Sequence, residues 1–205
     1  MTLCSRARDT GRPVDELKPL RRSPCLVTQG AIAALSTTDV STVVDVGGSN
    51  GDFVLALMEA DPGLTGQVLD LPHVVDGARA EAEKRGLSGR FSAVAGDFFE
   101  DVPPADLYLL KTILHDWDDD QCTAILRRCR SAVHEGGRAL VVEMVIGEPG
   151  RPDLATLSDM AMLTMTNGME RDLDEFDALF AASGWRRSKT YPVGAGYFGL
   201  ELVAA

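Results

Sequence analysis

Val43–Phe53, VVDVGGSNGDF, holds the first residues whose types and spacing suggest chemistry. Gly47-Gly48-Ser49-Asn50-Gly51 fits G-x-S-x-G, the sharp turn that presents a nucleophilic serine in hydrolases. Read with Asp45 in front, the same residues form a glycine-rich nucleotide loop in which Ser49 stands where a glycine would be. Both readings need a strand, a tight turn and a helix. A second set is Asp118-Asp119-Asp120, which could gather a cation. Three acids just before an apolar-periodic run are more simply a helix N-cap and first turn, favoured by the helix dipole. The four cysteines, Cys4, Cys25, Cys122 and Cys129, include no C-x-x-C pair and no accompanying histidine cluster, so they make no zinc framework. Cys122 and Cys129 read as buried small hydrophobes on one helix face.

The surrounding elements decide between these chemistries. TVVDV is β-branched and continuous, the pattern of a strand buried on both faces. A helix follows over 52–60, and a second strand over GQVLDL. Next come a helix ending at Gly86, a third strand over RFSAVAGD and a fourth over ADLYLLKTIL. The amphipathic segment 118–137 predicts a helix closed by Gly136-Gly137, and RALVVEMVI a fifth strand. Helical patterns follow at about 154–166 and 173–183. Late strands at about 186–192 and 196–204, joined by a short glycine turn, form a hairpin that sets one strand antiparallel. Strands alternating with helices predict an α/β fold with a mostly parallel sheet. Ligands in such sheets bind beyond the carboxyl ends of the strands. That places Gly47–Gly51, Asp70, Asp97, Lys111–Asp116 and Glu143 at the ligand edge.

The hydrolase reading fails on order. No strand precedes the one before Ser49, no oxyanion-loop glycines lie upstream, and the last histidine is His134 rather than one late in the fold. A dinucleotide fingerprint G-x-G-x-x-G begun at Gly47 would require glycines where Ser49 and Asp52 stand, so that match fails too.

With 205 residues and 45% hydrophobic composition, the chain can bury one substantial core. The net charge of −11 argues against a nucleic-acid partner. No run approaches the roughly 20 apolar residues that cross a bilayer. The first 30 residues hold six basic and three acidic side chains, +3 in sum, leaving −14 for the rest. They lack the apolar core of a signal peptide. Residues 1–35 are therefore set apart as a basic arm, loosely ordered or a remnant helix, before a domain over 36–205. A reduced, cytoplasmic protein is the expectation.

A more specific signal runs from residue 96 to residue 129, GDFFEDVPPADLYLLKTILHDWDDDQCTAILRRC. Together with VDVGGSNG, LDLPHVV and GMERDLDEF, in that order, it resembles the plant-type and bacterial small-molecule O-methyltransferases. These use S-adenosylmethionine (SAM) without a metal. The resemblance covers about 38–205 and implies a Rossmann-like class I methyltransferase fold. It predicts a seven-stranded, mostly parallel sheet with helices on both faces and a C-terminal antiparallel strand. It implies that Gly47 lets the loop approach the methionine part of SAM and that Asp70 accepts from the ribose hydroxyls. Asp97 and Phe98 would address the adenine, and Lys111 would contact the cofactor. His115 would be the general base, flanked by Glu143 and Glu170, and would take the proton of a phenolic or polyketide-like hydroxyl as it attacks the SAM methyl. Trp117, Met162 and Met165 are candidates for the acceptor pocket, and no metal is expected. The family's helical N-terminal domain, which dimerises and helps form the acceptor pocket, has no matching segment here. A SAM-binding domain with little turnover is thus the alternative to an active enzyme. In the glycine loop, Ser49 is expected to be tolerated with a negative φ.

Overall fold

In a computed structural model of the chain, residues 18–148, 154–165 and 168–205 are described. Seven strands form one sheet: β1 Thr42–Val46, β2 Thr65–Asp70, β3 Phe91–Ala95, β4 Ala105–Lys111, β5 Val133–Met144, β6 Trp185–Gly194 and β7 Tyr197–Ala204. Their order is β3-β2-β1-β4-β5-β7-β6. The pairings from β3 through to β5 are parallel. β7 runs antiparallel to both of its neighbours. The seven-stranded sheet with a C-terminal antiparallel strand is as the sequence implies.

The strands at the centre are apolar on both faces because helices cover both. The helices are α1 Lys18–Ala34, α2 Asp52–Ala60, α3 Val75–Lys84, α4 Asp119–Ala132, α5 Leu154–Met165 and α6 Leu173–Ala182. Along β4, Leu107 and Leu109 point into the layer containing α1, α2 and α3, while Tyr108 and Leu110 point into the layer containing α4 and α6. This period of two is why the strand reads as a continuous hydrophobic run. Cys122 and Cys129 are both fully buried free thiols within the α4 layer. Trp185, also fully buried, donates from its indole Nε1 to the Leu126 carbonyl at 2.9 Å, fixing β6 to α4.

One boundary differs from the sequence reading. Helix α4 stops at Ala132, not at the glycines. β-branched Val133 takes extended angles (φ −65°, ψ 137°), and its strand begins there, paired to Ala105 across an irregular register. Residues 18–34 form a helix, one of the two alternatives for the arm, and its Val27 and Ala31 are 2% and 0% exposed within the core.

The order of the strands reverses between β1 and β4. The loop after β1 and the turn after β4 therefore face one crevice at the carboxyl edge of the sheet, the place where open α/β sheets bind ligands.

Candidate active site

The loop between β1 and α2 is built on alternating left-handed residues: Gly47 at φ 66°, Ser49 at φ 55° and Gly51 at φ 75°. The expectation that Ser49 keeps a negative φ is therefore corrected. The tight turn demands the left-handed region at this position, and the serine occupies it at a strain cost of order 1 kcal/mol. The loop is tied to β2 twice: Gly47 N–H donates to the Leu69 carbonyl at 2.8 Å, and Ser49 N–H to Asp70 Oδ2 at 2.8 Å. Asp70 Oδ1 accepts from the Leu71 N–H at 2.7 Å. Asp70, at the end of β2, thus shapes the loop, with lone pairs remaining for a ligand hydroxyl. A Cβ on Gly47 would come within 2.6 Å of Ile113 Cδ1 and 3.5 Å of Phe98 Cε1, so its missing side chain keeps the crevice open between loop and turn.

Asp45 lies beneath the loop at 2% exposure, its carboxylate accepting from the Val54 N–H at 3.3 Å. Burial raises its pKa to about 7 despite the opposing charge of Lys111. Lys111 ends β4, the neighbour of β1 in the sheet. Asp97 Oδ1 accepts from the Phe99 N–H at 2.9 Å, closing the turn after β3. Phe98 and Phe99 meet Trp117 edge-on, with centroids 6.0 and 4.9 Å away. Trp117 thus joins the Phe98 cluster. Met162 is buried in α5, and the side chain of Met165 lies outside the described residues.

His115 sits in a single 3-10 turn, Leu114–Asp116, directly after β4, and is 8% exposed. Its Nδ1 donates to Glu170 Oε1 at 3.0 Å and lies 3.9 Å from Glu143 Oε2. Nε2 is then the nitrogen left to act, 3.7 Å from the nearest oxygen of Asp116. Glu143, fully buried at the end of β5, holds the turn from below: its Oε1 accepts from the Ile113 and Leu114 N–H groups at 2.9 and 2.8 Å. Its Oε2, like Oε2 of Glu170, is buried without a hydrogen-bond partner. Burial opposes charging His115, but the charges of Glu143 and Glu170 and the bond to Glu170 prevail, raising its pKa to about 9. Burial also raises Glu143 above the usual carboxylate range, against the pull of His115. The three side chains therefore form a proton-holding cluster. The sequence reading named all three; the structure brings them together.

It named none of the residues that hold Glu170. Ser158 Oγ donates to Glu170 Oε1 at 2.7 Å, and the Glu170 N–H donates to Asp159 Oδ1 at 3.0 Å, so α5 orients this carboxylate. Nor did it name Arg171, which is fully buried beside it. At the other end of the turn Asp118 caps α4, its carboxylate accepting from the Gln121 N–H at 2.9 Å, as the run of three acids predicts.

The O-methyltransferase domain model matches residues 6–186. The chain belongs to this O-methyltransferase family. It is 43% identical over 166 residues to the mitomycin biosynthesis 6-O-methyltransferase of Streptomyces lavendulae, covering 80% of this chain and 47% of that protein. It is 36% identical over 180 residues to the phenazine O-methyltransferase PhzM of Lysobacter antibioticus, covering 87% of this chain and 52% of that protein. The chain thus spans about half the length of these relatives. Its fold matches the mitomycin 7-O-methyltransferase MmcR with a TM-score of 0.84 at 37% identity, over 96% of this chain and 62% of that one. It matches NcsB1 from neocarzinostatin biosynthesis, solved with S-adenosylmethionine and 2-hydroxy-5-methyl naphthoic acid, with a TM-score of 0.80 at 35% identity, over 93% and 59%.

Proposed function

We propose that this chain carries the catalytic half of a SAM-dependent O-methyltransferase acting on a hydroxyl of a small aromatic or polyketide-like acceptor, with His115 as general base. The observation that carries the reading is the His115 imidazole, held through Nδ1 by buried Glu170, beside buried Glu143 and across the sheet's switch point from the glycine loop. The residues present fit SAM: a loop with no side chain at Gly47, an acid ending β2 and an aromatic after β3. Gly47 and its neighbours would hold the methionine part, Asp70 the ribose, Asp97 and Phe98 the adenine, with Lys111 beside them. When bound, SAM supplies an electrophilic methyl group on a positively charged sulfur.

The protein's own part is proton handling and orientation. Nδ1–H directed at Glu170 leaves Nε2 to take the acceptor's proton. With His115 near 9, the gap to a phenol of pKa about 10 is roughly one unit, or about 1.4 kcal/mol, against about 3.5 units for an ordinary histidine. Proton transfer is thereby nearly balanced. The demand moves to emptying His115 of its resting proton, which a neighbouring positive charge promotes by disfavouring the imidazolium. A positioned base contributes about 10²- to 10⁴-fold; alignment of the reacting atoms supplies a larger share. Trp117, Met162 and Met165 are proposed to line the acceptor side, and residues 36–205 to be the SAM-binding domain, with residues 1–35 a remnant segment whose helix α1 docks on it. No nucleic acid, membrane or metal has a place in this reading, and the protein is proposed to work in the cytoplasm.

His115, Glu143 and Glu170 also bring ligand-type atoms within 4.8 Å of one another, so the test is run in EDTA. Calorimetry with SAM and S-adenosylhomocysteine, followed by labelled-methyl transfer to a panel of phenols, should give binding and turnover that survive chelation. Turnover restored only by a divalent cation contradicts the metal-free reading. Binding with no turnover across the panel leaves the chain a cofactor-binding half that needs the remainder of a longer protein, or a second copy. Failure to bind either compound contradicts both readings.

A further inference from the structure

The mechanism above assigns nothing to Arg171, the largest buried cation of the site. Its side chain is 1% exposed, an expensive place for a guanidinium unless every donor is used. Every donor is used. Nε and Nη2 donate to Asp119 Oδ1 at 3.0 and 2.8 Å, Nη2 also to the Trp117 carbonyl at 2.9 Å, and Nη1 to the carbonyls of Leu114 at 3.1 Å and Met169 at 3.3 Å. A rigid fork of five N–H groups suits such a set, and a lysine, with three donors on one atom, does not.

The identity of the acceptors is what points to a role. Leu114 directly precedes His115, and Met169 directly precedes Glu170, so one guanidinium holds the peptide before each member of the hydrogen-bonded pair. Trp117 follows the same 3-10 turn. The main chain of Arg171 is also bridged to Val145, and its carbonyl accepts from the Ile146 N–H at 3.0 Å, just beyond Glu143 on β5. Arg171 thus touches the backbone next to His115 and Glu170, and the segment two and three residues past Glu143. Asp119, its ion-pair partner, is 67% exposed in its side chain. With only one of its two partners buried, this pair sets a single carboxylate against the guanidinium, and the remaining Arg171 donors go to the three carbonyls. Packing tells the same story: a Cβ on Gly168 would overlap the His115 carbonyl oxygen, because this loop lies directly on the turn.

We propose that Arg171 is a positioning residue that sets the His115–Glu170 geometry by clasping the carbonyls on either side of the His115 turn and the one before Glu170. The inference rests on the reading of His115 as base. Arg171 touches neither the base nor its carboxylate partner, and acts through their backbones.

The chain has three histidines, so labelled-histidine NMR resolves the His115 imidazole. The groups that face it are Glu143 from β5, Glu170 from the loop and Asp116 from its own turn. In Arg171→Met the His115 midpoint, near 9 in the intact protein, should fall, because the loosened pairing with Glu170 outweighs the loss of a guanidinium charge that is not among the causes holding the imidazole. S-adenosylhomocysteine affinity should stay within about threefold while kcat falls about tenfold or more, since misplacement of a catalytic group costs rate rather than cofactor binding. Arg171→Lys should recover little of either. Asp119→Ala, which removes the oxygen that accepts from Arg171 Nε and Nη2 at an exposed position, should move the midpoint the same way by less, and it decides the matter if Arg171→Met does not fold. An unchanged His115 midpoint with unchanged kcat, in whichever of Arg171→Met and Asp119→Ala folds, overturns the proposal. If His115→Ala instead keeps turnover, the base reading fails while the Arg171-dependent shift of the imidazole can still be present, so the two failures are distinguishable.

Discussion

Ser49 shows how a single residue carries both a pattern and its physical price. Held at φ 55° between two left-handed glycines, it sits where a Cβ is strained. Ser49→Gly is expected to raise stability by about 0.5–1 kcal/mol through relief of that strain, offset in part by the added freedom of the unfolded chain. Chemical denaturation measures it, and a loss of cofactor affinity in the same variant would mean that the hydroxyl contacts the ligand. His115 is the second case. The folded protein holds its proton more tightly than an unfolded chain with an ordinary value near 6.5. The stabilisation is complete below about 6.5 and is lost as pH rises through about 9. Over the same range kcat/KM should climb, because only the neutral imidazole accepts a proton. A melting temperature that rises from pH 7 to 9 would contradict the sign, and a flat rate profile would contradict the role. His115, Glu143 and Glu170 were legible because each is an ionisable side chain at a strand end or inside a distinctive motif. Arg171 was not, since its partners are mostly backbone carbonyls, which carry no sequence signature.

At the scale of elements, periodicity was enough to read the sheet. Apolar runs of five to seven residues separated by amphipathic helices translate directly into strands buried on both faces, and the short glycine turn before Tyr197 into the β6–β7 hairpin. The α4–β5 junction was less legible. The helical pattern continues toward Gly136-Gly137, but tertiary pairing of Val133 with Ala105 wins over local propensity. The polar composition of the first 30 residues likewise hid the short apolar stripe Val27, Ala31 and Leu35, by which α1 docks on the core. Ala31 is fully buried, so Ala31→Asp would place an unpaired carboxylate against apolar side chains. It should cost about 3 kcal/mol or more, read as a lowered thermal midpoint. An unchanged midpoint would mean that α1 contributes nothing to the fold.

Across the whole molecule, the sheet's switch point gathers a glycine loop, an acid and a histidine cluster onto one edge. The chain spans about half the length of its relatives, so acceptor choice is the property least expected to reside in these residues alone. The residues proposed to remove the proton and to hold the cofactor, by contrast, all lie within this chain. The central claim is that His115 removes the acceptor's proton. Labelled-methyl transfer from SAM to a phenolic acceptor should fall by about 10²-fold or more in His115→Ala, with calorimetric SAM affinity unchanged. Transfer at the wild-type rate in that variant would contradict the account.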